Sequence, residues 1–312
     1  MSNRLGAASL IVALALLALL GLPQSSGKPS PGTQIVLLGT GTPGPDPDRS
    51  GPATAIVVGG AAYLIDFGPG VIRRASAAHL KGIKALKVDN LKVAFVTHLH
   101  SDHTVGYPDL IFSTWVVGRR HPLEVYGPKG IKAMTGHILE AYQADIEVRT
   151  KGLEQADPAG LQVHAHEIQP GVVYKDQNVT VKAFAVKHGD WPQAFGYRFD
   201  TRDRSIVISG DTSPSESIIE NCNGCDVLIH EVYSQASFAR VSPKWQDYRS
   251  HYHTSSKQLA EIATRAKPGL LILYHRSHAG GGGAWTPEEE VLQEVRQSYK
   301  GKLVSGHDLD VY

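Results

Sequence analysis

After the short apolar run Val93–Val96 the chain reads Thr97-His98-Leu99-His100-Ser101-Asp102-His103. No other feature constrains it more: four ligand-type side chains fall within six residues at the end of a strand. Ionisable groups are seldom buried unpaired, because desolvating them is costly, so packing alone does not account for the cluster. Residues two apart in an extended segment point the same way, and His98 and His100 therefore address one ion together. The chain must then turn, which offers Asp102 and His103 to a second ion. Donors of this type at this spacing point to a metal ion, with zinc the default and iron or manganese able to occupy similar His/Asp sites. Composition agrees, with 15 His against 7 Phe.

The N-terminus reads as an export signal. Arg4 precedes an apolar run from Ala7 to Leu20, and Gly21, Pro23 and a Ser/Gly/Pro stretch follow. The run is shorter than the roughly 20 residues that span a membrane. We expect a signal peptide at 1–27, a linker at 28–33, one hydrolase domain at 34–312, and a periplasmic or secreted protein that meets the membrane only through its first segment. Cys222 and Cys225 are the only cysteines. They exclude a disulfide scaffold and a four-Cys zinc site, and whether they pair is open. Lys plus Arg number 31 against 30 Asp plus Glu, a net charge of +1. That balance argues against nucleic-acid binding through bulk positive charge and leaves a local patch open.

Short runs rich in Val and Ile predict strands at Ile35–Leu38, Ala55–Val58, Ala62–Ile65, Val93–Val96, Leu123–Tyr126, Gln162–Ile168, Val179–Val186, Phe195–Phe199, Ser205–Ile208, Val227–Ile229 and Leu270–Leu273. Helices are predicted at Val71–Lys81, Gly130–Tyr142, Ser213–Glu220, Ser255–Ala266 and Pro287–Tyr299. Thr254 or Ser255 is placed to cap the fourth, and Thr286-Pro287 to open the fifth. Strands and helices alternate with frequent hairpin spacings, which favours a layered α/β sandwich.

The histidine run resembles the HxHxDH signature of the metallo-β-lactamase superfamily, and further motifs follow in that family's order. Asp66 lies in Leu64-Ile65-Asp66-Phe67-Gly68, His188 in Val186-Lys187-His188-Gly189, and Asp211 in Ser209-Gly210-Asp211-Thr212; His275 follows Leu270–Leu273. The resemblance covers about residues 34 to 312 and implies an αββα four-layer sandwich with two zinc ions (Zn2+) per chain. By the family pattern His98, His100 and His188 hold the first ion, Asp102, His103 and His275 the second, and Asp211 bridges them. A hydroxide held by the ions is then the nucleophile, with Asp102 beside it, and Asp66 orients a ligand imidazole from behind.

Other segments are similar to tRNase Z: Leu123-Glu124-Val125-Tyr126-Gly127-Pro128-Lys129-Gly130, Phe195-Gly196-Tyr197-Arg198, Asp226-Val227-Leu228-Ile229-His230-Glu231 and Tyr252-His253-Thr254-Ser255. The resemblance makes Glu231 and His253 a catalytic pair that steadies or protonates the leaving oxygen. That family carries a long basic arm between the Gly-Tyr-Arg and Gly-Asp strands, where this chain has only Asp200 to Arg204. The stretch His98–Trp115 resembles exported zinc-dependent arylsulfatases instead. The expectation is therefore an exported dinuclear-zinc hydrolase of small sulfate or phosphate esters, with no nucleic-acid partner; a homodimer is allowed. The alternatives are a tRNase Z-type phosphodiesterase, a lactone hydrolase or a non-catalytic zinc protein. Tyr107, Trp115, Trp191 and Trp285 are candidate pocket aromatics, whereas His164, His166 and His251 read as surface residues.

Overall fold

Period-two alternation decides how the strands stack. In the computed structural model, which describes residues 32–277 and 286–312, β1 (Gln34–Gly39), β2 (Ala53–Val58), β3 (Ala61–Ile65), β4 (Val93–Phe95), β5 (Leu123–Gly127) and β6 (Val163–Glu167) form one sheet in that order. The second sheet holds β7 (Gly171–Lys175), β8 (Val179–Ala185), β9 (Phe195–Thr201), β10 (Ser205–Ile208), β11 (Val227–Tyr233), β12 (Leu270–Ser277) and β13 (Leu303–Ser305), also in sequence order. Each sheet is antiparallel in its first part and parallel in its second, the change falling at β3 and at β10.

Ile35 and Leu37 join a core layer between the sheets, while Val36 and Leu38 face helices. Ile206, Ile208 and Ile229 likewise point inward, and Val207 and Leu228 outward. The first outer layer is carried by α1 (Val71–Leu80), the single turn α2 (Ser101–Thr104), α3 (Tyr107–Val116), α4 (Ile131–Ala141) and the exposed α5 (Gln143–Lys151). Between the later strands of the second sheet run α6 (Glu216–Cys222), α7 (Gln235–Phe238), α8 (Pro243–Tyr252), α9 (Ser256–Ala266) and α10 (Glu288–Ser298), of which α6, α9 and α10 supply its outer apolar layer. Three apolar layers between four layers of structure, two helical and two sheet, are the αββα sandwich expected from the resemblance.

Ser255 caps α9 in a reciprocal capping box with Gln258. Thr286 does not cap α10: the N-cap is Pro287, and the buried Thr286 hydroxyl has no partner among the described residues. Cys222 and Cys225 form a disulfide across Asn223 and Gly224, both at positive φ. The export segment 1–27, most of the linker and Trp285 lie outside the described residues, and no described helix is long and apolar enough to cross a membrane.

Parallel strands β3 and β4 and strands β10 and β11 end at one rim of the sandwich, and the loop Asp66–Gly68 packs there on the start of α3. Gly106 N–H donates to Phe67 O at 3.0 Å, and a Cβ on Gly106 would fall 2.3 Å from Gly68 O and 2.6 Å from Phe67 O. Both obstacles are backbone and cannot swing away. Gly106→Ala should therefore lower stability by about 1–3 kcal/mol, seen as a lower denaturation midpoint at unchanged m-value.

Candidate metal centre

The run after β4 is extended through His100, whose φ and ψ are −61° and 148°. The chain then turns into α2, so the bend expected after His100 is a helical turn carrying Asp102 and His103. His98 Nε2 and His188 Nε2 each lie 3.0 Å from His100 Nδ1, so three ring nitrogens converge on one point. His275 Nε2 lies 3.2 Å from Asp102 Oδ2, and His103 Nε2 lies 3.6 Å from the same oxygen. Asp211 stands between the clusters, Oδ1 at 3.4 Å from His103 Nε2 and Oδ2 at 3.5 Å from His275 Nε2.

The ligand atoms fall into four overlapping triplets: His98–His100–His188, His98–His103–Asp211, Asp102–His103–His275 and His188–Asp211–His253. Within each, the donor atoms lie within 4.8 Å of one another. His103 Nε2 and Asp211 Oδ1 are buried without a hydrogen-bond partner among the described residues. Buried polar atoms left so are costly, and a cation among them removes that cost. The donor set and its orphaned atoms fit a metal centre.

Electrostatics separates the two halves. Burial pushes the His98 imidazole well below its ordinary pKa and His188 to about 3, which keeps both rings in the neutral form that binds metal. Burial acts the same way on His103, but the carboxylates of Asp211, Asp66 and Asp102 outweigh it and hold the ring well above its ordinary value. Burial would raise Asp211, yet His275 and His103 hold its carboxyl well below the carboxylate range.

Local folding aims these groups. Asp66, at φ 60°, accepts hydrogen bonds from Thr97 N–H at 2.8 Å and His103 Nδ1 at 2.9 Å, and so ties the loop after β3 to the histidine run. His275 lies inside β12 rather than after it. Alternation along β12 sends Leu271 and Leu273 toward the helices and would send residue 275 after them. Instead the ladder to β11 slips, with Glu231 opposite Tyr274 and Val232 opposite Arg276. The unpaired His275, at φ 42°, is a bulge that turns its ring back to Asp102.

Glu231 is fully buried and accepts from Thr254 N–H at 2.9 Å. His253 Nδ1 lies 3.4 Å from Glu231 Oε1 and 3.9 Å from Asp211 Oδ2, ion-pair rather than hydrogen-bond distances. Every proposed site residue is thus brought to one rim. The pocket aromatics divide. Tyr107 stacks on Phe67 in the core and Trp115 donates to Asp157 O, so neither lines the site. Trp191 Nε1 donates to His100 Nε2 at 2.8 Å. His164 and His166 clamp Glu124 on the neighbouring strand, each at 2.7 Å, and His251 pairs with Asp247 on α8.

Residues 62–276 match the family model described as a beta-lactamase superfamily domain. A ribonuclease Z of Mycobacterium bovis (strain BCG / Pasteur 1173P2) is 32% identical over 280 residues, 88% of this chain and 96% of that protein. A ribonuclease Z of Mycobacterium sp. (strain KMS) is 35% identical over 246 residues, 78% of this chain and 83% of that protein. Among solved structures, the metallo-beta-lactamase fold protein YhfI from Bacillus subtilis superposes with a TM-score of 0.65 at 21% identity, over 90% of this chain and 98% of that one. Human tRNase Z, short form, superposes with a TM-score of 0.64 at 22% identity, over 89% and 98%. The curated relatives overturn the expectation of a small-ester substrate without a nucleic-acid partner, because they are named for cleaving RNA. Net charge was a poor guide for a physical reason: a summed charge of +1 says nothing about the surface beside the catalytic rim. Fold, converging donors and family match together place this metallo-hydrolase in the metallo-β-lactamase superfamily.

Proposed function

We propose that the chain is a zinc-dependent phosphodiesterase of the ribonuclease Z type, acting on RNA. The observation that carries the reading is a complete donor set with the Glu231/His253 pair beside it, in a chain aligned with 96% of a ribonuclease Z. His98, His100 and His188 would hold one zinc, Asp102, His103 and His275 a second, with Asp211 shared between them. Zinc, when bound, supplies Lewis acidity and activates water.

The chain's own groups do the rest. Asp66 fixes His103 in one ring orientation through Nδ1. Glu231 is itself held by Thr254 N–H, and at 3.4 Å it draws Nδ1 of His253 inward. Nε2 is the nitrogen left to protonate the leaving ribose oxygen. The β9–β10 hairpin closes through residues 202–204 alone, so RNA is held here without an arm at that position. Short single-stranded 3′ ends fit such a site better than the elbow of a folded tRNA.

The test is a substrate panel with metal analysis of the same preparation: a pre-tRNA, a short single-stranded RNA, bis(p-nitrophenyl) phosphate, an aryl sulfate and a lactone. We expect RNA and phosphodiester cleavage that chelation abolishes and zinc restores, with a lower melting temperature after chelation because the ion binds only the folded chain. Turnover of aryl sulfate or lactone with intact RNA would refute the reading. We also propose that the segment before residue 28 directs export, supported by Arg4 and the apolar run Ala7–Leu20; fractionation with N-terminal sequencing of the mature protein tests it.

A further inference from the structure

Four large aromatic side chains beside the centre belong to none of the three apolar layers: Trp191, Trp245, Tyr248 and Tyr252. All four are partly exposed. Three lie on α8 at positions i, i+3 and i+7, one face of a helix. The rest of α8 is polar, and Arg249 is its only buried residue, so core packing does not explain the stripe.

The three α8 rings form a continuous row. Trp245 meets Tyr248 edge-on at 5.4 Å, and Tyr248 stacks on Tyr252 at 4.3 Å and 16°. Tyr252 meets His188 edge-on at 5.0 Å, and Tyr248 lies 5.8 Å from the His253 ring. Burial, followed by the charge of Asp211, raises the Tyr248 hydroxyl to about 12, with Asp102 and Glu231 adding to it. The row thus begins at the surface and ends within the field of the centre.

Its inner end is fixed rather than free. The Tyr252 ring lies against Gly189, where a Cβ would fall 1.9 Å from Cζ. Gly189 has φ 53°, so the close approach and the backbone both call for glycine. Tyr252 donates its hydroxyl to Asp190 Oδ2 at 2.9 Å, and its carbonyl lies 2.8 Å from His188 Nδ1. Trp191, two residues beyond Gly189, is tied to His100 at 2.8 Å.

We propose that Trp245, Tyr248 and Tyr252, with Trp191 standing separately against His100, are a stacking platform that seats the nucleobases flanking the scissile phosphodiester. The inference rests on the RNA-cleaving reading above. Every base presents a flat π-face, and single strands are gripped by stacking on aromatic side chains. The platform supplies affinity where this chain has no basic arm between β9 and β10.

The experiment pairs kinetics with binding. Wild type, Trp245→Leu and Trp191→Leu are assayed on a short single-stranded RNA and on the same RNA abasic at the two nucleotides flanking the cut. Zinc content is measured throughout. Separately, tryptophan fluorescence is titrated with adenosine 5′-monophosphate and with ribose 5-phosphate. We expect Trp245→Leu to raise KM on the base-bearing RNA about tenfold, the range of one lost stack, with kcat held and no change on the abasic RNA. The nucleotide, not the sugar phosphate, should quench the wild type. An unchanged KM, or an equal rise on both RNAs, overturns the platform. Nucleotide quenching in a protein that cleaves no RNA leaves the platform standing and refutes the cleavage reading. Cleavage indifferent to the flanking bases does the reverse.

Discussion

Asp211→Ala should lower kcat for phosphodiester cleavage by about 10³-fold or more and reduce the zinc bound per chain. Asp211 is the one carboxylate shared by a triplet with His98 and His103 and a triplet with His188 and His253. Its oxygens also lie 3.4 Å from His103 and 3.5 Å from His275. Without it the imidazoles of His98, His100 and His188 have no carboxylate among them, and Asp102 alone is left to face Nε2 of His103 and His275. Asp211→Asn keeps the shape and removes the charge, so it separates electrostatics from packing. If both variants retain zinc and turnover, Asp211 does not bridge.

The second large effect concerns His253. His253→Ala should cost about 10²–10⁴-fold in kcat on RNA, the range for a positioned general acid, and only a few-fold on bis(p-nitrophenyl) phosphate. A ribose oxygen leaves poorly unless protonated, whereas p-nitrophenolate leaves unaided. Because His253 also falls within ligand reach of His188 and Asp211, zinc content decides between roles. Full occupancy with a leaving-group-dependent loss marks an acid; lost zinc with equal losses on both substrates marks a ligand.

Legibility followed locality. The histidine run was readable because its donors are adjacent and the strand before it, Val93–Phe95, is fully buried. His188, Asp211 and Glu231 were readable only through the order of family motifs, since nothing local brings them together. Helix α3 was missed because Tyr107–Val116 is apolar on nearly every side, which erases the 3.6-residue rhythm. Helix α5 was missed for the opposite reason, having no buried residue at all. Strand β7 is an edge with half of its face in solvent, and β13 has three residues. The substrate was misjudged because the short connection Asp200–Arg204, the export-like N-terminus and the summed charge were weighed against RNA, and none of the three describes the surface beside the site. The row on α8 was hidden too: its spacing is visible in Trp245, Tyr248 and Tyr252, but the site it faces is not.

The offset in β12 has a consequence for anyone editing this strand. Excising residue 275 would bring Tyr274 and Arg276 into unbroken register with β11 and relieve a residue held at φ 42°. The shortened protein would have a more regular sheet and would lack an imidazole that only the irregularity can deliver. Regularity and reactivity are therefore opposed at a single position, and selection for hardiness alone would be expected to erase the kink and silence the enzyme together.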